Sequence, residues 1–262
     1  MEPGEYDNIA RLESQHWWYV GMRRIAESLL RDASLGPHAQ ILDAGCGTGG
    51  GLQWLSAFGA ATGIDWHPLA VRYAVQKSRR VARASVQAIP FPDGFFDLVT
   101  SFEVLYHLAV TDDIAALREF ARVLRPGGQL LVRVPAHDWL RGAHDRHVHT
   151  RHRYAHGELR QKIESAGLVL QRLTFVGLML FPLAALKRLI QPEADSQTDV
   201  TLPVPAVNRT LTAALAAEGL WLRRFNLPIG LSLLALARKP STDAPRQSPE
   251  RSGVGWRVST NP

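Results

Sequence analysis

Apolar residues along this chain follow two rhythms, and their alternation predicts an α/β fold. Met22, Ile25, Ala26, Leu29, Leu30 and Ala33 recur at three- and four-residue spacing, the stripe of a helix that packs on a sheet. Beyond the Gly36-Pro37 break, an apolar run from Ile41 reads as a strand that enters a glycine-rich turn and then a helix from about Gly51, carrying Leu52, Trp54 and Leu55. A second strand over 61–65, a helix over 69–78 and a third strand near 83–86 follow. The fourth strand spans 96–102, and 103–107 reads as a turn and helix start. A helix over 111–124 with a capping cluster at its start leads to a fifth strand over 129–134, then a helix over 156–166 closed by Gly167 and a sixth strand over 168–175. The run from Val176 to Ile190 is apolar but is broken by Pro182 and stops at Lys187, which predicts a buried helix rather than a span, since crossing a bilayer takes about 20 apolar residues. A polar acidic loop over 192–201, an amphipathic helix over 206–224 and a last strand over 231–238 complete the pattern. Strands alternating with helices build a mostly parallel sheet covered on its faces.

Composition narrows the setting. With 262 residues, 46% of them hydrophobic, the chain can bury one substantial core with an extra lobe. Cys46 is the single cysteine, which excludes a disulfide framework and fits a reducing, cytoplasmic compartment. The net charge of +6 permits nucleic acid or anionic membrane as partners, but the basic residues are spread along the chain and read as an ordinary basic surface. The opening residues are acidic with no apolar run, unlike a secretion signal. From Pro240 onward the composition of Ser, Pro, Arg, Thr and Gly predicts a disordered tail. No internal repeat is present.

The chemistry concentrates at the first strand–turn–helix. Gly45, Gly47 and Gly50 satisfy the dinucleotide pattern G-x-G-x-x-G, so glycine spacing alone leaves a nicotinamide cofactor open. Asp43, two residues before the first glycine, would repel a pyrophosphate but suits an ammonium. Asp65, at the end of the second strand, is placed to accept the hydroxyls of a ribose. The run Asp43, Gly45, Gly47, Gly49 resembles motif I of the class I (Rossmann-like) S-adenosylmethionine-dependent methyltransferases. Three further matches follow in order: Gly63 to Asp65, Ala88 to Val99, and Arg122 to Gly128. The resemblance covers about 38–175 and points to the small-molecule, methyltransferase type 11-like branch.

That resemblance implies a three-layer, doubly wound sheet of seven strands whose last strand runs antiparallel, with helical lid and cap segments. It divides the chain into a lid and helix over 1–36, a cofactor-binding core over 37–175, a helical cap and final strand over 176–238, and the tail over 239–262. S-adenosylmethionine is the implied cofactor. Its expected neighbours are Asp43, Gly45, Cys46, Gly47, Thr48, Gly49 and Asp65, with Trp66 against adenine. Where relatives carry an acid for the adenine amine this chain has Ser85, which leaves adenine recognition to Ser85, Val86 and Gln87. Ser101, Phe102 and Glu103, at the switch point of the sheet, border the methionine part.

On the acceptor side, Trp17, Trp18, Tyr19 and Arg23 form either a lid or a helix anchor. Tyr106 faces the substrate, and His107 is either a general base or a packed histidine. The segment 137–156 crowds six histidines, His137, His144, His147, His149, His152 and His156, with Arg146, Arg151 and Arg153. It reads as an anion clamp (Arg146, Arg151, Arg153), as a base (His144 or His147, oriented by Asp145), or as a solvated loop in which Arg153 and Tyr154 dock the next helix; no metal framework is matched. Asn208 and Glu218 could line a cap. The expected acceptor is a small molecule with a polar or anionic group, such as a sugar, a lipid-linked intermediate or a secondary metabolite, methylated on O, N or C. No nucleic-acid partner is expected, since no Asn-Pro-Pro-aromatic tetrad occurs. Membrane contact through 176–190 and a monomeric or homodimeric state complete the expectations. A non-catalytic cofactor-binding partner protein and a nicotinamide oxidoreductase are the competing classes.

Overall fold

The computed structural model describes residues 3–31, 35–36, 38–190 and 201–241, without the side chains of Pro3, Ala143 and His144. Ala33, most of the 192–201 loop and the tail beyond Ser241 lie outside the described residues, as does the His144 imidazole.

A seven-stranded sheet in the order β3-β2-β1-β4-β5-β7-β6 organises the chain. The strands are β1 Gln40–Ala44, β2 Ala60–Asp65, β3 Val81–Arg83, β4 Phe96–Phe102, β5 Leu124–Pro135, β6 Val169–Val176 and β7 Ser232–Arg238. β3, β2, β1, β4 and β5 pair in parallel, and β7 inserts antiparallel between β5 and β6. The central strands are covered on both faces: Ile41, Leu42, Ala44, Phe96, Leu98 and Val99 are fully buried, which explains why they read as continuous apolar runs. Where polar side chains do enter this core, the backbone satisfies them. Thr100 donates to Leu42 O and to Asp43 Oδ1 (2.9 Å), and Ser101 donates to Ala44 O (2.9 Å), stitching β4 to β1.

The helices are α1 Pro3–Leu12, α2 Trp17–Leu30, α3 Gly50–Leu55, α4 Pro68–Lys77, α5 Asp113–Val123, α6 Ala143–His147, α7 His156–Ser165, α8 Phe181–Ile190 and α9 Pro205–Leu222. Several depart from the sequence pattern. α1 precedes the expected helix, and α2 begins at Trp17, capped by His16, whose Nδ1 accepts from Trp18 N (3.3 Å). β3 lies at Val81–Arg83, ahead of the expected 83–86, and Ser85 instead forms a bridge with Ala88. The stretch 103–107 is a turn, entered through Glu103 at φ 59°, and starts no helix.

α9 packs on α2, so closely that a Cβ on Gly21 would sit 2.4 Å from the Leu215 side chain. Asn208 accepts from Trp17 N (2.9 Å), helping to hold the start of α2, and the buried Glu218 accepts from Gly177 N (2.6 Å) and Leu178 N (2.9 Å). Neither residue lines the cavity described below. The 176–190 run is also not buried: α8 has no buried residue, and Met179, Leu183, Leu186, Leu189 and Ile190 are all exposed. No helix among the described residues is long and apolar enough to cross a membrane.

Candidate functional site

The order of the sheet reverses between β1 and β4, and the turn leaving β1 opens there. Gly45, Gly47 and Gly49 adopt φ of 86°, 52° and 87°, the left-handed region that side chains avoid. Space is as restrictive as torsion at the first of them, since a Cβ on Gly45 would lie 2.2 Å from Val104 Cγ2. Asp65 ties this turn to the end of β2: its Oδ2 accepts from Gly47 N (2.9 Å) and its Oδ1 from His67 N (2.8 Å). Burial raises the Asp65 pKa, and these two N–H groups oppose the rise. Burial also pushes the Asp43 carboxyl up to about 7, against the lowering effect of Thr100, with the Asp65 and Glu13 charges adding to the rise. The Cys46 thiol is buried and its pKa is raised, so it stays protonated and packs against Gly63 rather than serving as a nucleophile.

Around the turn lies a cavity of about 870 Å³. It is lined by Asp43, Gly45, Cys46, Gly47, Thr48, Asp65, Trp66, Ser85 and Val86, and also by Trp17, Trp18, Tyr19, Arg23, Phe102, Glu103, Tyr106, His107 and Arg153. Thr48 Oγ1 is buried there without a protein partner. Trp66 is largely exposed at the rim, with the Arg83 guanidinium 5.3 Å over its ring. Six expected site residues stand outside the lining: Gly49, which begins α3 against Ala74; Gln87, whose amide exchanges hydrogen bonds with Thr111; Ser101, spent on Ala44 O; and His147, Arg151 and Tyr154.

The sequence reading overlooked α1. Tyr6 stacks on His67 (4.6 Å, 11° between planes), and burial pushes its phenol up to about 12. Glu13 pairs with Lys77 and abuts Gly50, where any Cβ would meet its carboxylate. The spacing of Tyr6, Ile9 and Leu12 is the helical signal that was available.

Residues 42–132 match the methyltransferase domain family. The chain is 32% identical over 130 residues to a probable S-adenosylmethionine-dependent methyltransferase of Mycobacterium tuberculosis, covering 48% of this chain and 46% of the relative. It is 34% identical over 131 residues to the malonyl-[acyl-carrier protein] O-methyltransferase of Serratia marcescens, covering 49% and 47%. The chain thus spans about half the length of these relatives. In fold it resembles a chain from the complex between the Haloferax volcanii Trm112 methyltransferase activator and a methyltransferase, with a TM-score of 0.58 at 22% identity over 90% of this chain and 98% of that one. Over residues 42–132 the chain is thus similar to S-adenosylmethionine-dependent methyltransferases.

Around the 137–156 loop the charged groups are largely committed to one another. Arg153 grips Asp145 with two bonds (2.9 and 3.0 Å). Arg151 bonds Thr111 O (3.0 Å) and Asp113 (3.1 Å), and the buried Tyr154 donates to Asp113 (2.7 Å) and Leu105 O (3.2 Å). Arg151 therefore stands outside the cavity lining, and Arg153 reaches the cavity already paired with Asp145. Asp113, His152 and Glu158 bring three ligand atoms within 4.8 Å, yet Lys162 already bridges Asp113 (2.7 Å) and Glu158 (2.8 Å) and supplies the positive charge.

His107 accepts from Ala109 N at Nδ1 (3.0 Å), so the neutral ring carries its proton on Nε2. Burial, aided by nearby positive charge including His149, lowers its pKa to about 4. It is uncharged at neutral pH and a weak base. Tyr106 is buried and its pKa raised, keeping its proton. Replacing His107 by asparagine is expected to leave any neutral limb of the pH–rate profile in place; disappearance of that limb would reinstate His107 as the base.

Proposed function

We propose that this chain transfers the methyl group of S-adenosylmethionine to an O, N or C nucleophile on a small-molecule acceptor. The observation that carries the reading is that one cavity is lined by Asp43, Asp65 and the glycine turn together with Tyr106 and His107. The residues fit the cofactor: Asp65 presents carboxylate lone pairs to ribose hydroxyls while the backbone orients it, Asp43 faces an ammonium, and the unpartnered Thr48 hydroxyl offers a further polar contact. Trp66 gives an aromatic face to adenine, and Ser85 and Val86 border its edge.

Bound there, S-adenosylmethionine supplies a methyl on a sulfonium whose leaving group is a neutral thioether. The protein's main task is then alignment and exclusion of water, and α1 and α2 supply it by closing the cavity with Tyr6, Trp17, Trp18 and Tyr19. A protonated Tyr106 and a neutral His107 border the acceptor. Such a site suits an acceptor that is already nucleophilic. Incubating the protein with cell extract and S-adenosylmethionine carrying a labelled methyl tests the reading: label is expected in the small-molecule or lipid fraction, whereas label in protein or RNA would contradict it.

A further inference from the structure

α8 is assembled inside out for a globular helix. Leu183, Leu186 and Ile190 share one face at three- and four-residue spacing and are 68%, 53% and 67% exposed. Ala184, Lys187 and Arg188 lie on the adjoining side of the helix and line the cavity. A surface helix ordinarily buries its apolar stripe; here that stripe stands in water.

The surroundings indicate what covers that face. The side chain of Trp139, 53% exposed, stands edge-on to Phe181 at 6.0 Å beside the start of α8, an amphipathic ring of the kind that settles at a lipid–water boundary. From Val169 through Ile190 there is no acid, while Lys187 and Arg188 fall in the last turn of α8. Arg188 lies against Gly142 of the loop that also bears Arg141 and Arg146. A second copy docked through this face would bring two such cationic edges together, whereas an anionic bilayer would attract them. Glu218 fixes the N–H groups that lead into α8, so the helix is held at this orientation.

We infer that α8 lies in the interface of an anionic lipid bilayer and brings the cavity mouth to the membrane surface, so that the acceptor is an amphiphile presented from the lipid. This deepens the proposed function and rests on it for the cavity's being the reaction site. The apolar face enters the headgroup boundary, while Lys187 and Arg188 sit between the lipid phosphates and the cavity.

Flotation of the full chain with vesicles tests the inference. Vesicles of phosphatidylcholine with phosphatidylglycerol are expected to carry the protein, and phosphatidylcholine alone to bind at least about tenfold more weakly. The triple substitution Leu183→Ser, Leu186→Ser, Ile190→Ser is expected to lower binding to the mixed vesicles at least about tenfold, with S-adenosylhomocysteine affinity unchanged. Should that variant not fold, Leu183→Ser alone at its exposed position is expected to lower binding about threefold. Failure of the native chain to float, equal flotation of the variants, or a dimer in solution that the variants dissociate would each overturn the inference. Cofactor affinity retained without flotation overturns only the membrane docking, whereas flotation without cofactor affinity overturns the proposed function.

Discussion

Replacing Asp65 by alanine is expected to weaken S-adenosylhomocysteine binding about 100-fold. Two losses combine. The ribose loses a charged acceptor, a contact of about 1.5–3 kcal/mol, and a factor of ten in affinity corresponds to about 1.4 kcal/mol. The backbone N–H groups of Gly47 and His67 also lose the oxygens that hold the turn at 2.9 and 2.8 Å. Asparagine in the same place keeps one acceptor oxygen but no charge, so its affinity should fall between those of the native protein and the alanine variant. Calorimetric titration of the three proteins checks the order, and equal affinities would remove Asp65 from the site.

Asp43 is expected to make cofactor binding pH-dependent, with a defined sign. In the free protein its carboxyl is raised from 3.8 to about 7 by burial, so below neutrality it is largely protonated. An ammonium group favours the carboxylate, so binding expels the proton, and affinity should rise up to about tenfold per pH unit as pH climbs from about 5 to 7. Below about pH 7.5 the ligand's own amino group stays charged and contributes no opposing slope. Asp43→Asn should flatten the dependence and bind about as weakly as the native protein at the acid end. The same shift sets the stability of the free protein. Between pH 3.8 and about 7 the folded state holds a proton on Asp43 that the unfolded chain has released, so this group's contribution to stability falls as pH rises through that window. Melting temperatures of Asp43→Asn and native protein should converge at low pH and separate toward neutrality, the variant being the more stable; the opposite divergence would contradict the assignment.

The parts of the fold that read clearly in sequence are those whose physics is local. β1, β2 and β4 are apolar runs bounded by turns, and the left-handed glycines of the turn have few substitutes, so both were visible before any three-dimensional information. The misread parts depend on partners distant in sequence. α1 carries only a thin apolar stripe, and its packing against α4 and the cavity decides its place. α8 was expected to be buried because apolar spacing does not reveal whether a neighbour covers it. In the 137–156 loop the charges were evident but their pairings were not: Arg151 closes on Asp113, 38 residues away, and Arg153 on Asp145, which leaves little of the expected anion clamp. Ser101 sat at the right end of the right strand, yet its hydroxyl is taken by Ala44 O. The proposed cofactor contacts come from a turn and strand ends, which local sequence specifies, whereas the rest of the cavity lining is assembled from α1, α2, the 103–107 turn and the 137–156 loop.

The most direct test of the account is calorimetric titration of the purified chain with S-adenosylhomocysteine at neutral pH, with NAD as the comparison. Binding of the first at about micromolar Kd, with no heat from the second, is the result predicted by an ammonium-facing Asp43 and a ribose-holding Asp65. Binding of NAD in preference, or of neither by the folded protein, would contradict it.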